Sequence, residues 1–299
     1  MVPTWLLWLY WFILGSAIGS FLNVCIYRMP REQSIVSPRS RCPNCQHPIA
    51  WYDNIPVASF FILGRKCRHC RCAIRWRYPV VEALTGVLTA AVFERFGTGP
   101  IGLVYLGLVC GLIASSFIDL EFQIIPDEIS LGVLVIGVLL SIVLPVLHGT
   151  DSRLLSLSRS VTGLLVGGGL LYGTGAAGNV GLWGLRCLGV RVRHNPFWRA
   201  KLARYRHMKE SMGGGDVKLL AMAGSILGWK YVALTFFLAP LVAVIPGITM
   251  LLLKRTHYIP YGPFLSLGLV VALFFGNDLI RLSGIEETTR LLWTFYGPR

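Results

Sequence analysis

Acidic side chains are scarce in this sequence: 14 Asp and Glu stand against 28 Lys and Arg among 299 residues, and the charged types together make up 14% of the chain. Soluble domains carry about a quarter charged residues, so a water-facing surface over most of this chain is excluded. Amphipathic rhythm is missing as well. The apolar residues, 54% of the total, run on without interruption instead of recurring at helical spacing, which excludes a soluble helical bundle and reads as a polytopic membrane protein. No basic residue precedes the first apolar run and no small-residue cleavage site closes it, so the run at 5–26 is expected to be a membrane helix and not a signal peptide. Neither a low-complexity tract nor an internal repeat is visible. The excess positive charge, +14 overall, lies between the apolar runs, where retention of loops in the cytoplasm accounts for it and no nucleic-acid partner is needed.

What is present is a series of apolar segments at about 5–26, 78–96, 100–120, 128–147, 161–185, 217–229, 231–253 and 261–280. The expected fold class is therefore all-α and polytopic, with about eight transmembrane helices. The segment at 217–229 is short for a span of about 20 residues, which implies tilt, local thinning or partial re-entry. Gly15, Gly19 and Ser20 give the first helix small-residue spacing for close packing, and the glycines at 167–169 and 173–181 mark another helix that is kinked or tightly packed. Loops 28–77, 121–127, 186–209 and 254–257 fall on one side of the membrane and three of them are basic, whereas opposite loops such as 97–99 and 148–151 carry almost no positive charge. The basic side is then cytoplasmic, with both termini outside. Three regions follow: a first transmembrane helix at 1–27, a polar cytoplasmic segment at 28–77, and a helical membrane domain at 78–299 whose basic stretch 186–209 is expected to lie on anionic lipid.

Two of the few carboxylates, Asp119 and Asp216, end long apolar runs and on this topology share the cytoplasmic plane. An ionised side chain there is costly unless a polar group meets it, which makes each a functional candidate. Two neighbouring carboxylates cannot both ionise cheaply: one keeps its proton while the other stays charged, the working state of an aspartyl protease dyad. Asp216 also reads as a helix N-cap after Gly213-Gly214-Gly215, but three glycines let a peptide backbone approach closely and favour the catalytic reading. Asp127, between Pro126 and Glu128, reads as a structural N-cap, and Lys218 as a snorkelling cation. For Glu82, about one turn into an apolar helix, a salt bridge to Arg75 or Arg77 is the expected state.

Of eight cysteines, four form the pairs Cys42-Pro43-Asn44-Cys45 and Cys67-Arg68-His69-Cys70, separated by 21 residues inside the most basic region. This pairing matches a zinc ribbon in a reducing compartment, each pair sitting on a tight turn that presents two thiolates. Zinc would staple a segment of about 50 residues, too small to bury much of a core. Cys72, His47 and His69 rank behind the tetrad as ligands, and Cys25, Cys110 and Cys187 read as small buried hydrophobes.

Along nearly the whole chain lie Gly19-Ser20-Phe21-Leu22-Asn23-Val24, the Cys tetrad, Asn54-Ile55-Pro56, Arg77-Tyr78-Pro79 with Glu82, Asp119 seven residues before Pro126-Asp127, Gly213-Gly214-Gly215-Asp216-Val217-Lys218, and Ile259-Pro260-Tyr261-Gly262-Pro263. In this combination the sequence resembles the bacterial type IV prepilin peptidases, the leader peptidase and N-methyltransferase family. The resemblance implies that Asp119 and Asp216 are the catalytic aspartates, and that the zinc segment is associated with methylation by S-adenosylmethionine, whose binding residues it leaves unassigned. It implies cleavage after a glycine that ends a short basic leader, at the cytoplasmic face of the inner membrane, and methylation of the new N-terminus, usually Phe. Prepilins or type II secretion pseudopilins are the implied substrates. The chain departs from the family where a second glycine usually precedes the basic residue and third cysteine: here Gly64 is followed by Arg65-Lys66-Cys67. The loop before Gly213 is also longer and more basic than usual. Two alternatives stand beside this reading: a peptidase without methylation, and a proton- or cation-coupled transporter, for which intramembrane carboxylates are equally expected.

Overall fold

A computed structural model describes residues 3–191, 212–252 and 260–282. Among these residues the regular structure is helical, and the only β pairing is two isolated bridges. In chain order the α-helices are α1 (Thr4–Arg28), α2 (Ala58–Ile62), α3 (Arg77–Phe96), α4 (Pro100–Phe122), α5 (Asp127–Val143), α6 (Arg153–Arg191), α7 (Gly214–Leu227), α8 (Trp229–Leu252) and α9 (Gly262–Leu282). All but the short α2 coincide with the apolar segments read from sequence. Five helical stretches, Thr4–Arg31, Pro100–Phe122, Arg153–Val180, Trp229–Pro246 and Gly262–Leu282, are long and apolar enough to cross a membrane. The chain is thus a multi-pass membrane protein with an all-α fold. Two of the other three expected spans are shorter, α5 with 17 residues and α7 with 14. The third, α3, carries Arg77, Glu82, Glu94 and Arg95. The loop 254–257 and most of the basic stretch 186–209 lie outside the described residues.

The chain divides into two units, Met1–Ile129 and Ser130–Arg299. In the first, α1 and α3 meet backbone to backbone, because glycine removes the side chain where they cross. A Cβ at Gly15 would stand 2.4 Å from Thr89 Oγ1, one at Gly19 would stand 2.7 Å from the Glu82 Cα, and one at Gly86 would stand 2.5 Å from Ser16 Oγ. The expected small-residue packing of the first helix is therefore found, and it fixes Glu82 against α1. Beyond α1 the chain is tied back by Arg28, whose guanidinium donates to the carbonyls of Ser34 (2.8 Å) and Pro38 (2.7 Å).

In the second unit α7 is the buried element. Fourteen residues reach about 21 Å at about 1.5 Å per residue, short of the roughly 30 Å hydrocarbon core. Its neighbours make up the difference: every residue from Leu219 to Leu227 is buried, and α6, α8 and α9 all pack on it. A helix apolar on all sides belongs inside a bundle. The closest approach is to α6, where a Cβ at Gly163 would stand 2.1 Å from the Gly224 carbonyl oxygen and one at Gly167 2.6 Å from that of Leu220. Ser160, also on α6, donates its hydroxyl to the Ser225 carbonyl at 2.7 Å. The tight packing expected of this helix is thus real at Gly167, while Gly169 and Gly173 face open space.

Gly163→Val should push α6 from α7 and lower stability by about 1–3 kcal/mol or more. Gly169→Ala should be neutral or slightly stabilising. Thermal unfolding of the two variants in detergent checks the contrast; equal melting temperatures would contradict the backbone contact.

Candidate functional site

The four paired cysteines are brought together. In the first knuckle the Cys42 N–H donates to the His47 carbonyl (2.9 Å) and the Gln46 N–H to the Cys42 carbonyl (2.9 Å), and Arg41 bridges Pro48. In the second the Cys67 N–H donates to the Cys72 carbonyl (2.9 Å) and the Arg71 N–H to the Cys67 carbonyl (3.0 Å), and Lys66 bridges Ala73. Gln46 and Arg71 both take left-handed backbone, with φ of 57° and 58°. The sequence showed no repeat, yet the backbone repeats itself across two segments that share little beyond their cysteines.

The Sγ atoms of Cys42, Cys45, Cys67 and Cys70 lie within 4.8 Å of one another, with Cys42 and Cys70 3.8 Å apart. An ion bound tetrahedrally at about 2.3 Å from each sulfur sets its ligands about 3.8 Å apart, so this donor set fits a metal of that kind. Cys72 is a fifth thiol at the edge, 3.2 Å from Cys70 and 3.7 Å from Cys42. Its role differs from that of the tetrad. The Cys72 N–H and then its thiol pull the Cys70 thiol down to about 5, while the hydrogen bond to Cys70, together with desolvation, pushes Cys72 up to about 12. Cys45, a member of the tetrad, is raised to about 11 as well, so it is the mutual distances of the four sulfurs that set Cys72 apart. His47 and His69 stack on each other, ring centroids 3.5 Å apart, one from each knuckle.

The knuckles are joined to the helices by two carboxylates. Arg68 makes a bidentate pair with Asp53 at 2.7 and 2.6 Å, and this guanidinium holds the Asp53 carboxyl below its usual range. The second carboxylate is Glu82. Pro56-Val57-Ala58 forms a γ-turn of the strained hand, with Val57 at φ 61° and ψ −51° and the Ala58 N–H on the Pro56 carbonyl at 2.6 Å. Glu82 Oε2 accepts the Val57 N–H at 2.7 Å and so holds the turn. The expected salt bridge from Glu82 to Arg75 or Arg77 is not made: both arginines pair with Glu121 at the end of α4, Arg75 at 2.8 Å. Burial decides the outcome. Glu82 is 9% exposed against α1, where a guanidinium would lose its water as well, whereas Glu121 stays partly open at the helix end.

Between the end of α1, the knuckles and the start of α3 lies a cavity of about 900 Å³, lined by Asn23, Glu82 and several arginines. Asn23 donates its amide nitrogen to the Tyr78 carbonyl at 3.0 Å, and its buried Oδ1 has no hydrogen-bond partner. In the sequence Asn23 stands out only as part of the motif at 19–24. Its spacing from Glu82 carried no signal, because only the crossing of α1 and α3 brings them to one wall.

Asp119 and Asp216 belong to different units, and each has its own setting. Asp119 occupies the last turn of α4, is 7% exposed, and its carbonyl accepts the N–H of the left-handed Gln123 at 2.9 Å. Asp216 stands in the first turn of α7. Gly213 is the N-cap there, so the alternative reading of Asp216 as the cap fails by position. Asp127 and Glu128 both lie in the first turn of α5, which begins at Asp127, so Asp127 stands inside the helix and not at the cap position read from the sequence. A residue with no expected role joins Asp216: the Tyr261 phenol, just ahead of α9, is pushed up to about 12 by burial and then by the Asp216 charge.

Residues 13–96 match the model of the bacterial peptidase A24 N-terminal domain, and residues 106–248 match that of the type IV leader peptidase family. A prepilin leader peptidase/N-methyltransferase of Aeromonas hydrophila is 34% identical over 92% of this chain and 93% of its own length. One of Pseudomonas aeruginosa is 33% identical over 90% of each chain. The chain belongs to the type IV leader peptidase family. A Myxococcus xanthus relative of the same name is 36% identical over 81% of this chain and 62% of its own. No solved structure matches the chain. Nothing in these relatives supports the transporter reading.

The departure of this leader peptidase family member at Arg65 now has a physical reading. Gly64 and Arg65 are both left-handed, at φ 56° and 62°. Glycine takes that backbone freely; arginine is strained in it, by about 1–3 kcal/mol. The Arg65 guanidinium lies 4.8 Å over the Trp76 ring, a contact worth about 0.5–1 kcal/mol that offsets part of the strain. Arg65→Ala keeps the strain and loses the stack, so it should destabilise the segment, while Arg65→Gly should match or exceed the parent. Melting temperatures of the three proteins give the order; alanine at or above glycine would refute the left-handed assignment.

Proposed function

We propose that this chain removes the leader of type IV prepilins or type II secretion pseudopilins at the cytoplasmic face of the bacterial inner membrane, and methylates the new N-terminus with S-adenosylmethionine. The observation that carries the reading is the pair of carboxylates at the ends of otherwise apolar helices, Asp119 and Asp216, in a member of this family. Residues 28–77 form the metal segment and residues 78–299 the peptidase domain. Lipid surrounds the helices, and nucleic acid has no part.

Asp119 and Asp216 act as one catalytic pair. Helix ends differ in polarity: the first turn of a helix carries partial positive charge and the last turn partial negative charge. Asp216 lies in a first turn and Asp119 in a last turn. Asp216 is then the base that takes a proton from the attacking water, and Asp119 the acid that protonates the leaving amine after the hydroxyl adds to the scissile carbonyl. The Tyr261 phenol, which feels the Asp216 charge, supplies a hydrogen bond to the pair. No acyl-enzyme forms.

Cys42, Cys45, Cys67 and Cys70 hold zinc as a structural staple, which replaces the core that the short segment lacks.

Asn at position 119 or 216 should each lower leader removal by about 10³-fold or more, with folding and metal content intact. The intact mass of a prepilin incubated with each variant checks this; appreciable cleavage by Asp119→Asn protein would sink the pair.

Metal analysis of the purified chain should find about one zinc per chain, lost in Cys70→Ser and kept in Cys72→Ser. Loss of zinc in the Cys72 variant with retention in the Cys70 variant would reverse the assignment of ligand and neighbour.

A further inference from the structure

The cavity in the first unit is lined by neither Asp119 nor Asp216, and its walls are chemically divided. Two buried acceptors lie on one side. Asn23 is 3% exposed and its Oδ1 lacks a donor. Glu82 is 9% exposed, is held by the Val57 N–H and the Ser20 hydroxyl, and has no salt bridge among the described residues to balance its charge. A buried amide oxygen and a buried carboxylate on one cavity wall are matched by a ligand that brings positive charge and hydrogen-bond donors.

The rest of the wall is cationic, since arginines outnumber carboxylates among the lining residues. Several are already engaged: Arg68 with Asp53, Arg75 and Arg77 with Glu121, Arg28 with backbone carbonyls. Arg31 is engaged as well, donating to the Tyr27 carbonyl at 2.6 Å and lying over the Tyr27 and Phe122 rings, so Arg41 remains on the lining for a ligand carboxylate. A basic leader peptide is repelled by such a wall, and a simple anion is opposed by Glu82. A zwitterion with an additional positive centre satisfies both sides. The volume of about 900 Å³ lies in the range of small-molecule sites and leaves room for a nucleoside.

We propose that this cavity is the binding site of the methyl donor, with Asn23 and Glu82 facing the ammonium and sulfonium groups of S-adenosylmethionine and the arginine side facing its carboxylate. The inference rests on the methyltransferase reading above and adds where the donor sits. Glu82 then has two duties on one side chain: it closes the Val57 turn and supplies the negative wall.

Equilibrium dialysis of radiolabelled S-adenosylmethionine against the full chain in detergent tests it, with zinc content and melting temperature recorded for each protein. The parent should bind, and Glu82→Gln and Asn23→Leu should each bind about ten-fold more weakly or worse. Photo-cross-linking of the same donor to the unaltered protein, followed by peptide mapping, makes the test independent of how the variants fold. Label should fall between Ser20 and Glu82. Label confined to residues 212–282, or unchanged binding by both folded variants, would overturn the site and leave the methyltransferase reading standing. No binding by the parent would remove that reading itself. Displacement by inorganic phosphate or by a Lys-rich peptide as effective as displacement by S-adenosylhomocysteine would overturn the charge argument.

Discussion

A carboxylate inside an apolar helix bundle must be met by donors, and the first unit is arranged around that requirement at Glu82. Its donors are the Ser20 hydroxyl and the Val57 N–H, the latter at 2.7 Å in a turn that a β-branched residue enters only under strain. The Val57 bond links the polar segment 28–77 to α3. The glycine crossing of α1 and α3 sets Glu82 at the right depth, since any side chain at Gly19 would collide with the Glu82 backbone. Sequence pattern, helix packing and the seating of the knuckles meet in this one contact.

The second unit solves a different problem with the same device. An aspartate has to be presented by a helix too short to span, so α7 is sheathed by longer neighbours. Gly163, Gly167 and Gly224 remove the side chains that would hold α6 away. Van der Waals contact between backbones, instead of a hydrophobic driving force, holds helices together in lipid, and it falls off steeply with separation. Side-chain to backbone bonds such as Ser160 to Ser225 add direction to that contact.

Much of this was legible beforehand, and the reasons differ by element. Eight apolar runs became helices, seven of them within about four residues of their expected bounds and α6 longer at both ends, because hydrocarbon leaves the backbone no other way to pair its own polar groups. The Cys tetrad converged because two short turns present sulfur at fixed spacing. Three things were hidden. The repeat of the two knuckles lies in backbone hydrogen bonds, which any side chains at positions 43, 44, 68 and 69 allow. The pairing of Arg75 and Arg77 with Glu121 depends on which carboxylate keeps water, a property of packing and not of spacing. The Asn23 acceptor is visible only once its amide nitrogen is seen to be taken by Tyr78.

The metal segment and the cavity depend on each other physically. A segment of about 50 residues buries little apolar surface, and a metal held by the four clustered cysteines would staple its turns. Those turns carry Arg68, whose bidentate pair with Asp53 anchors the stretch leading to Val57. The stretch in turn places the N–H that Glu82 accepts. Loss of the metal would therefore act first on the wall of the cavity and only afterwards on the apolar helices, whose packing in lipid does not draw on the knuckles. The arrangement lets a small, polar, cysteine-rich segment share one unit with membrane helices while leaving the stability of the bundle to the glycine crossings.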